Sequence, residues 1–167
     1  MQRQKVGKRC KAVTRDLPFP HNVRLGGIVA VQPAEVGGDH AVLGLDGTDY
    51  TEQTSKMTER IAARQQGEIR FDREVDRVFA PSRATVRIVD EEWKRVIRIE
   101  KLGSASTVVW NPWIDKAAAM PNLGDEEYQF MLCVEAANAR TDSRVIAPGS
   151  SHTLAQKIAL EAFPAGK

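Results

Sequence analysis

The sequence has few of the residues on which metal sites, disulfide frameworks and membrane spans depend. Its two cysteines, Cys10 and Cys133, lie far apart and match no metal-binding spacing. Two cysteines, one of them in an apolar run, favour a reduced cytoplasmic thiol over a disulfide framework. No apolar run approaches the roughly 18 residues of a membrane helix, and no apolar signal segment follows the basic N-terminus. We therefore expect a cytoplasmic protein with no membrane partner.

Motifs for phosphate loops, metal clusters and nucleophilic triads are also absent from the sequence. We expect neither a metal nor another cofactor. The three histidines, His21, His40 and His152, are scattered along the chain. Each is expected to be a surface or loop residue rather than a ligand or a catalytic base.

Basic charge is concentrated at the N-terminus. Residues 1–15 contain six lysines and arginines and no acidic residue, and acidic side chains outnumber basic ones in the rest of the chain. Such a segment could contact nucleic acid, and an interaction protein that uses it is one possible function class. Without interleaved aromatic residues or a binding motif, a poorly ordered leader over residues 1–35 is the preferred interpretation. We do not expect nucleic acid to be a partner.

The rest of the chain, 36–162, has the texture of an antiparallel sheet. At 167 residues the protein suits one domain with a substantial core. Apolar and polar residues alternate with period two in a series of short segments, which is typical of strands with one solvated face: Glu68–Phe71, Ala84–Val89, Arg95–Glu100 and Ser151–Leu160. Residues 51–66 are predicted to form a loop, residues 113–119 a short helix, and residues 163–167 a tail.

One carboxylate stands inside an apolar strand. Glu135 lies in the segment Met131–Asn138, with no basic residue nearby before Arg140. An ionised carboxylate in apolar surroundings is costly unless something binds or uses it. Alternatively, Glu135 lies on the solvent face of an edge strand or pairs with an arginine distant in sequence. The segment alone leaves these alternatives open.

An ordered set of motifs resembles the C-terminal part of the glucose-6-phosphate 1-epimerase family, which is related to the aldose 1-epimerases. The matching stretches cover roughly Val36 to Ile158 and include these: Gly-Leu-Asp-Gly-Thr-Asp-Tyr at 44–50, Glu-Val-Asp-Arg-Val-Phe at 74–79, Val-Val-Trp-Asn-Pro-Trp at 108–113 and Cys-Val-Glu-Ala-Ala-Asn at 133–138. One motif alone would be weak, whereas the ordered set is specific.

The resemblance implies an all-β, galactose-mutarotase-like β-supersandwich, here as an incomplete C-terminal half with antiparallel strands. It implies an isomerase that interconverts the α and β anomers of a hexose 6-phosphate by acid/base ring opening, as a monomer when complete. By position, Glu135 matches the general base and Asp76 matches the aspartate that binds sugar hydroxyls. Asp76 could instead pair locally with Arg73 or Arg77. Trp110 and Trp113 could line the sugar or belong to the core.

The sequence departs from the family where the catalytic histidine is expected. That histidine lies shortly before a Val-Gly-Asp motif. Here residues 30–35, directly before Val36-Gly37-Gly38-Asp39, contain no histidine, and His21 and His40 do not match by position. We therefore expect impaired activity, with residues 1–35 unlike the family, residues 36–162 as the epimerase-like sandwich and residues 163–167 as the tail. The alternative is a non-catalytic β module that binds carbohydrate or sugar phosphate.

Overall fold

The computed structural model describes residues 6–13, 21–23, 26–31 and 40–163, with side chains described from residue 40 onward. Thirteen strands and one α-helix are assigned in these residues: β1 Val6–Val13, β2 His21–Val23, β3 Gly26–Val31, β4 His40–Leu43, β5 Asp49–Glu52, β6 Ile61–Arg64, β7 Val75–Phe79, β8 Val86–Asp90, β9 Arg95–Leu102, β10 Ser106–Asn111, α1 Trp113–Ala118, β11 Leu132–Ala137, β12 Arg144–Ile146 and β13 Ser151–Ala162. Glu127–Phe130 and Arg140–Asp142 form single 3-10 turns.

The strands form two main antiparallel sheets. One sheet has the order β1-β13-β9-β8-β4 and the other has the order β3-β11-β10-β7-β5-β6, while β12 and β2 form a separate pair. No helix in the part of the chain that the structure describes has the length and hydropathy needed to cross a bilayer. The sequence-based prediction of an all-β antiparallel fold is confirmed.

The core joins the two sheets. Its buried cluster takes Val42, Ile88 and Ile99 from the five-stranded sheet and Phe79 and Val109 from the six-stranded one. Each fully buried aliphatic or aromatic side chain of this size contributes about 1.5–3 kcal/mol to folding. Burial alternates along β8 and β10 with period two, so each strand turns one face to this core. A sandwich of two packed sheets follows.

The prediction of a loop at residues 51–66 is wrong for residues 51–52, which end β5, and for residues 61–64, which form β6. β5 and β6 pair there, with Asp49 opposite Arg64. Glu52, at the end of β5, is buried, and it accepts hydrogen bonds from Arg73 and Arg77 of the neighbouring chain segment. Because these partners lie more than 20 residues away, the polar sequence of β5 gave no local signal that it is held in a sheet.

Three strands lie within residues 1–35, where the sequence predicts a leader. β1 pairs with β13, β3 with β11 and β2 with β12. The parts of residues 1–35 outside these strands lie beyond the described residues, as do residues 164–167. The division of the chain at residues 35 and 162 stays a prediction.

Lys101 links the two sheets through neutral oxygen atoms. Its Nζ, on β9, donates hydrogen bonds to the carbonyl oxygens of Ser82 (2.9 Å) and Ser106 (3.2 Å) and to the hydroxyl of Thr107. Burial lowers the pKa of Lys101 to about 8, against the opposing influence of Asp142. Protonation of Lys101 is therefore less favourable in the folded protein than in the unfolded chain.

The lowered pKa of Lys101 predicts that the stability of the protein depends on pH. The unfolded chain binds more protons than the folded one between pH 8 and the ordinary lysine pKa of 10.5, so Lys101 makes the protein more stable as pH rises through that window. Relative to Lys101→Met, we expect wild type to gain about 1–2 kcal/mol in unfolding free energy between pH 7.5 and 10, since the side chain is only partly buried. Urea titrations across this range measure it. Lys157→Met, which removes an exposed lysine and keeps Lys101, is the control: its unfolding free energy should change with pH as that of wild type does.

Candidate active site

Strand β10 brings the two predicted site carboxylates onto one face of the six-stranded sheet. β10 lies between β11 and β7, with Val108 opposite Glu135 and Trp110 opposite Asp76. Cross-strand partners share a face, and residues two apart on a strand share it as well. Glu135, Trp110 and Asp76 therefore project from the same side. Val109, between them, faces the core and is buried.

Glu135 lies in a partly dehydrated setting on β11. The carboxylate is half-buried, and burial raises its pKa, with a further contribution from the negative charge of Asp76. Among the side chains at residues 40–163, none donates a hydrogen bond that would stabilise its charge. A carboxylate in these surroundings is a stronger base than one in water, which suits proton removal.

Asp76 lies between acidic and basic neighbours. Burial raises its pKa; Lys116 and Arg140 oppose this shift, while Glu74 and Glu52 reinforce it. The local pairing with Arg73 or Arg77 that the sequence left open does not occur, because both arginines bind the buried carboxylate of Glu52.

A turn held by Asn111 brings α1 up to this face. The Asn111 side chain is fully buried; its Nδ2 donates to the carbonyl oxygens of Tyr128 and Met131, and its Oδ1 accepts from the Trp113 backbone amide. Trp113 adopts a left-handed backbone conformation, with φ of 58°, and such strain is tolerated only where the surroundings fix it. Lys116 follows one turn later on α1.

The two tryptophans have different places. Trp110 lies on the side of the sheet that carries Glu135 and Asp76, here called the carboxylate face. Trp113 packs against the hydrophobic core and against Tyr128, with ring centroids 5.3 Å apart. Of the two alternatives left open by the sequence, the apolar wall fits Trp110 and the core fits Trp113.

The end of β11 is fixed by buried polar contacts. The Asn138 side chain donates to the carbonyl oxygen of Gly103 (3.0 Å) and to Asp142 (2.7 Å), and it meets the His152 ring at 3.0 Å. His152 also contacts the Gly103 carbonyl at 2.9 Å. Asn138 of the Cys-Val-Glu-Ala-Ala-Asn motif therefore has a structural role: it holds the strand that carries Glu135.

The expectation that every histidine is a surface or loop residue is wrong for His40. This side chain is buried at the start of β4, with its Nε2 3.2 Å from Asp90 Oδ1. β4 pairs with β8, which places His40 directly opposite Asp90, and this long-range pairing gives no local sequence signal. The side chain of His21 lies outside the described residues.

Two cavities, of about 800 and 290 Å³, are lined by residues that include neither Glu135 nor Asp76. The larger one lies along β9 and β13, and the smaller one lies behind Glu74 and Trp113. No cluster of three or more His, Cys, Asp or Glu in the described part of the chain could hold a metal ion.

Sequence reasoning missed Lys116, which lies beside Asp76, and Glu74 and Ser55, which form a hydrogen-bonded chain with it. Glu74 could have been found, because it lies two residues before Asp76 and so on the same side of the chain. Lys116 and Ser55 could not, since their contacts with Glu74 join segments 42 and 19 residues apart in the sequence.

Comparison with known proteins gives a consistent family. The sequence model of the family described as aldose 1-epimerase matches residues 38–159. A protein of Cenchrus ciliaris named "Putative glucose-6-phosphate 1-epimerase" is 40% identical over 124 residues, which are 74% of this chain and 36% of that protein. The chain thus spans about a third of the length of this relative.

Solved structures show the same fold. A structure described as a putative mutarotase from Salmonella typhimurium superposes with a TM-score of 0.76 at 19% identity, over 93% of this chain and 50% of that one. A galactose mutarotase-like protein from Lactobacillus casei gives a TM-score of 0.66 at 13% identity, over 93% and 58%. The predicted galactose-mutarotase-like fold, represented here by a part of the full-length architecture, is confirmed.

Proposed function

Since the chain belongs to the aldose 1-epimerase family, we propose that its carboxylate face binds a hexose 6-phosphate and that Glu135 is the general base for opening the sugar ring at C1. Glucose 6-phosphate is the substrate that the name of the Cenchrus ciliaris relative suggests. Asp76 is the proposed acceptor for sugar hydroxyls. The observation that carries the proposal is the placement of both carboxylates on one face, on either side of Trp110.

The chemistry requires a base and an acid. Glu135 takes the proton of the C1 hydroxyl as the bond between C1 and the ring oxygen breaks, and an acid protonates the ring oxygen. The open-chain aldehyde turns about its C1–C2 bond and closes on either face, while the two protons return. The raised pKa of Glu135, caused mainly by burial, brings this base closer to neutral pH, where proton transfer is more effective.

The general acid is missing, because the sequence has no histidine at the position of the family's catalytic histidine. Residues 30–35, directly before Val36, contain no histidine. General acid catalysis contributes about 10²–10⁴-fold, so we propose that this chain alone exchanges anomers slower than intact members of the family by about that factor. The same observation favours a second candidate, a carbohydrate-binding module without catalysis.

Two measurements on the wild-type chain decide between these functions. NMR exchange spectroscopy on glucose 6-phosphate gives the rate of anomer exchange, and tryptophan fluorescence titration gives binding. We expect binding together with exchange above the buffer rate and below that of an intact relative such as the Salmonella typhimurium protein. Binding without exchange would leave the module, and turnover equal to the intact relative would remove the argument from the missing histidine. Absence of binding would contradict both functions.

A further inference from the structure

The ammonium group of Lys116 lies near the carboxylate of Asp76 but beyond hydrogen-bond distance. Lys116 Nζ lies 3.9 Å from Asp76 Oδ2 and 3.0 Å from Glu74 Oε1. It also lies 5.8 Å from the ring centroid of Trp110. A direct hydrogen bond between nitrogen and oxygen spans about 2.7–3.2 Å. Lys116 therefore donates a hydrogen bond to Glu74, whereas its distance to Asp76 is too long for one; this separation between Lys116 Nζ and Asp76 Oδ2 is called the gap below.

Glu74 holds the ammonium in this position. The backbone amide of Ser55 donates to both carboxylate oxygens of Glu74, each at 2.9 Å, and the Ser55 hydroxyl donates to Oε2. Burial raises the pKa of Glu74, but the hydrogen bonds from Ser55 and Lys116 outweigh it and the pKa is lowered overall. Glu74 therefore stays ionised at neutral pH and fixes one end of the Lys116 side chain.

The gap between Lys116 and Asp76 suits one hydroxyl group. A hydroxyl oxygen about 2.8 Å from each atom would accept a hydrogen bond from the ammonium and donate its own proton to the carboxylate. Hydrogen bonds with charged partners are stronger than neutral ones. The Trp110 ring lies beside the gap and offers an apolar surface to the C–H groups of a sugar ring. Together the three side chains present a donor, an acceptor and an apolar wall.

We propose that Lys116 is a sugar-binding residue that, with Asp76, binds one hydroxyl group of the hexose. The identity of the ligand as a hexose rests on the proposed function. The role of Lys116 is independent of catalysis, because it requires neither Glu135 nor an acid. Lys116 is 29% exposed and Asp76 34%, which leaves both groups accessible to a ligand.

A double-mutant cycle between protein and ligand tests the contact. Dissociation constants are measured by tryptophan fluorescence for wild type and Lys116→Met with glucose, glucose 6-phosphate and the 2-, 3- and 4-deoxy analogues of glucose. We expect Lys116→Met to weaken glucose and glucose 6-phosphate binding alike, by roughly 10- to 100-fold, as for the loss of a hydrogen bond with a charged partner. For one deoxy analogue the loss should fall below about threefold, since the hydroxyl is already absent.

Two further variants separate contact from structure. Lys116→Arg keeps a charged donor and should recover part of the affinity. Lys56→Met removes a neighbouring lysine, which is exposed and pairs with Asp115 at 2.6 Å, and should bind like wild type. If Lys116→Met does not fold by circular dichroism, Lys116→Gln, which keeps a neutral donor, takes its place in the cycle.

Three results would overturn the assignment. Equal losses for every deoxy analogue would make Lys116 a counter-ion of Glu74 and Asp76. A loss confined to glucose 6-phosphate would make it a phosphate contact. No binding of any of these sugars by wild type would remove the sugar altogether. Sugar binding with the expected pattern but without anomer exchange would support Lys116 as a ligand while contradicting the catalytic function of the site.

Discussion

Replacing Glu135 by glutamine is expected to reduce the exchange of glucose 6-phosphate anomers to the buffer rate, a loss of about 10²–10⁴-fold in the catalysed step. Glutamine preserves the shape of the side chain and an oxygen acceptor, but it cannot accept the C1 hydroxyl proton at neutral pH. Affinity for the sugar should stay within about threefold of wild type. NMR exchange rates and fluorescence titrations on the same samples measure both quantities.

The pH profile distinguishes a base from a structural residue. Because burial and the charge of Asp76 raise the pKa of Glu135, the wild-type rate should fall as pH decreases through a value above the ordinary range for glutamate. Glu135→Gln should lack this limb. The exposed carboxylate Glu126 offers a matched control, and Glu126→Gln should keep the wild-type rate and profile. A Glu135→Gln protein that retains the wild-type rate would show that the base lies elsewhere.

Gly103→Ala is expected to destabilise the protein by about 2–5 kcal/mol. Gly103 has φ of 74°, and a Cβ there would lie 2.0 Å from the carbonyl oxygen of Thr153. The left-handed conformation costs an alanine about 1–2 kcal/mol, and forcing backbone apart in a packed region costs about 1–3 kcal/mol more. The Gly103 carbonyl also binds Asn138 and His152, so any shift is transmitted to the end of β11.

Gly149→Ala separates these two contributions. Gly149 has φ of 76°, but no atom lies within 4 Å of the position that a Cβ would occupy there. Gly149→Ala should therefore lose only the roughly 1–2 kcal/mol that the left-handed conformation costs an alanine. Thermal unfolding should place Gly103→Ala roughly 5–15 °C below wild type and Gly149→Ala a few degrees below. Equal melting temperatures for the two variants would contradict the role of the close approach at Thr153.

The sequence could predict strands where side chains alternate and where one face meets the core. β8, β9 and β13 satisfy this condition, whereas the alternating segment Glu68–Phe71 forms only an isolated bridge, between Ile69 and Val42. β5 was missed because its buried carboxylate, Glu52, is stabilised by arginines more than 20 residues away. Period-two patterns record the burial of side chains; they do not record which distant charges become neighbours.

The same distinction applies to the site. Glu135 was recognisable as a carboxylate within an apolar strand, and Asp76 as part of an ordered motif. Lys116 carries no such mark, because the sequence of its short helix does not show which strand the helix contacts. Its importance comes from Glu74, 42 residues earlier in the chain. Its place beside Asp76 depends on the Asn111 turn, whose left-handed residue at Trp113 no propensity rule would predict.

The intervening strand β10 fixes the separation of the two carboxylates. Glu135 and Asp76 are separated by two strand spacings, about 9–10 Å across the sheet, and by a fixed offset along it. A one-residue slip in register would turn a carboxylate into the core, so intermediate separations are not accessible by small backbone changes. Substitutions in the side chains or loops around the pair would change the surroundings of the two carboxylates and leave the distance between Glu135 and Asp76 unchanged.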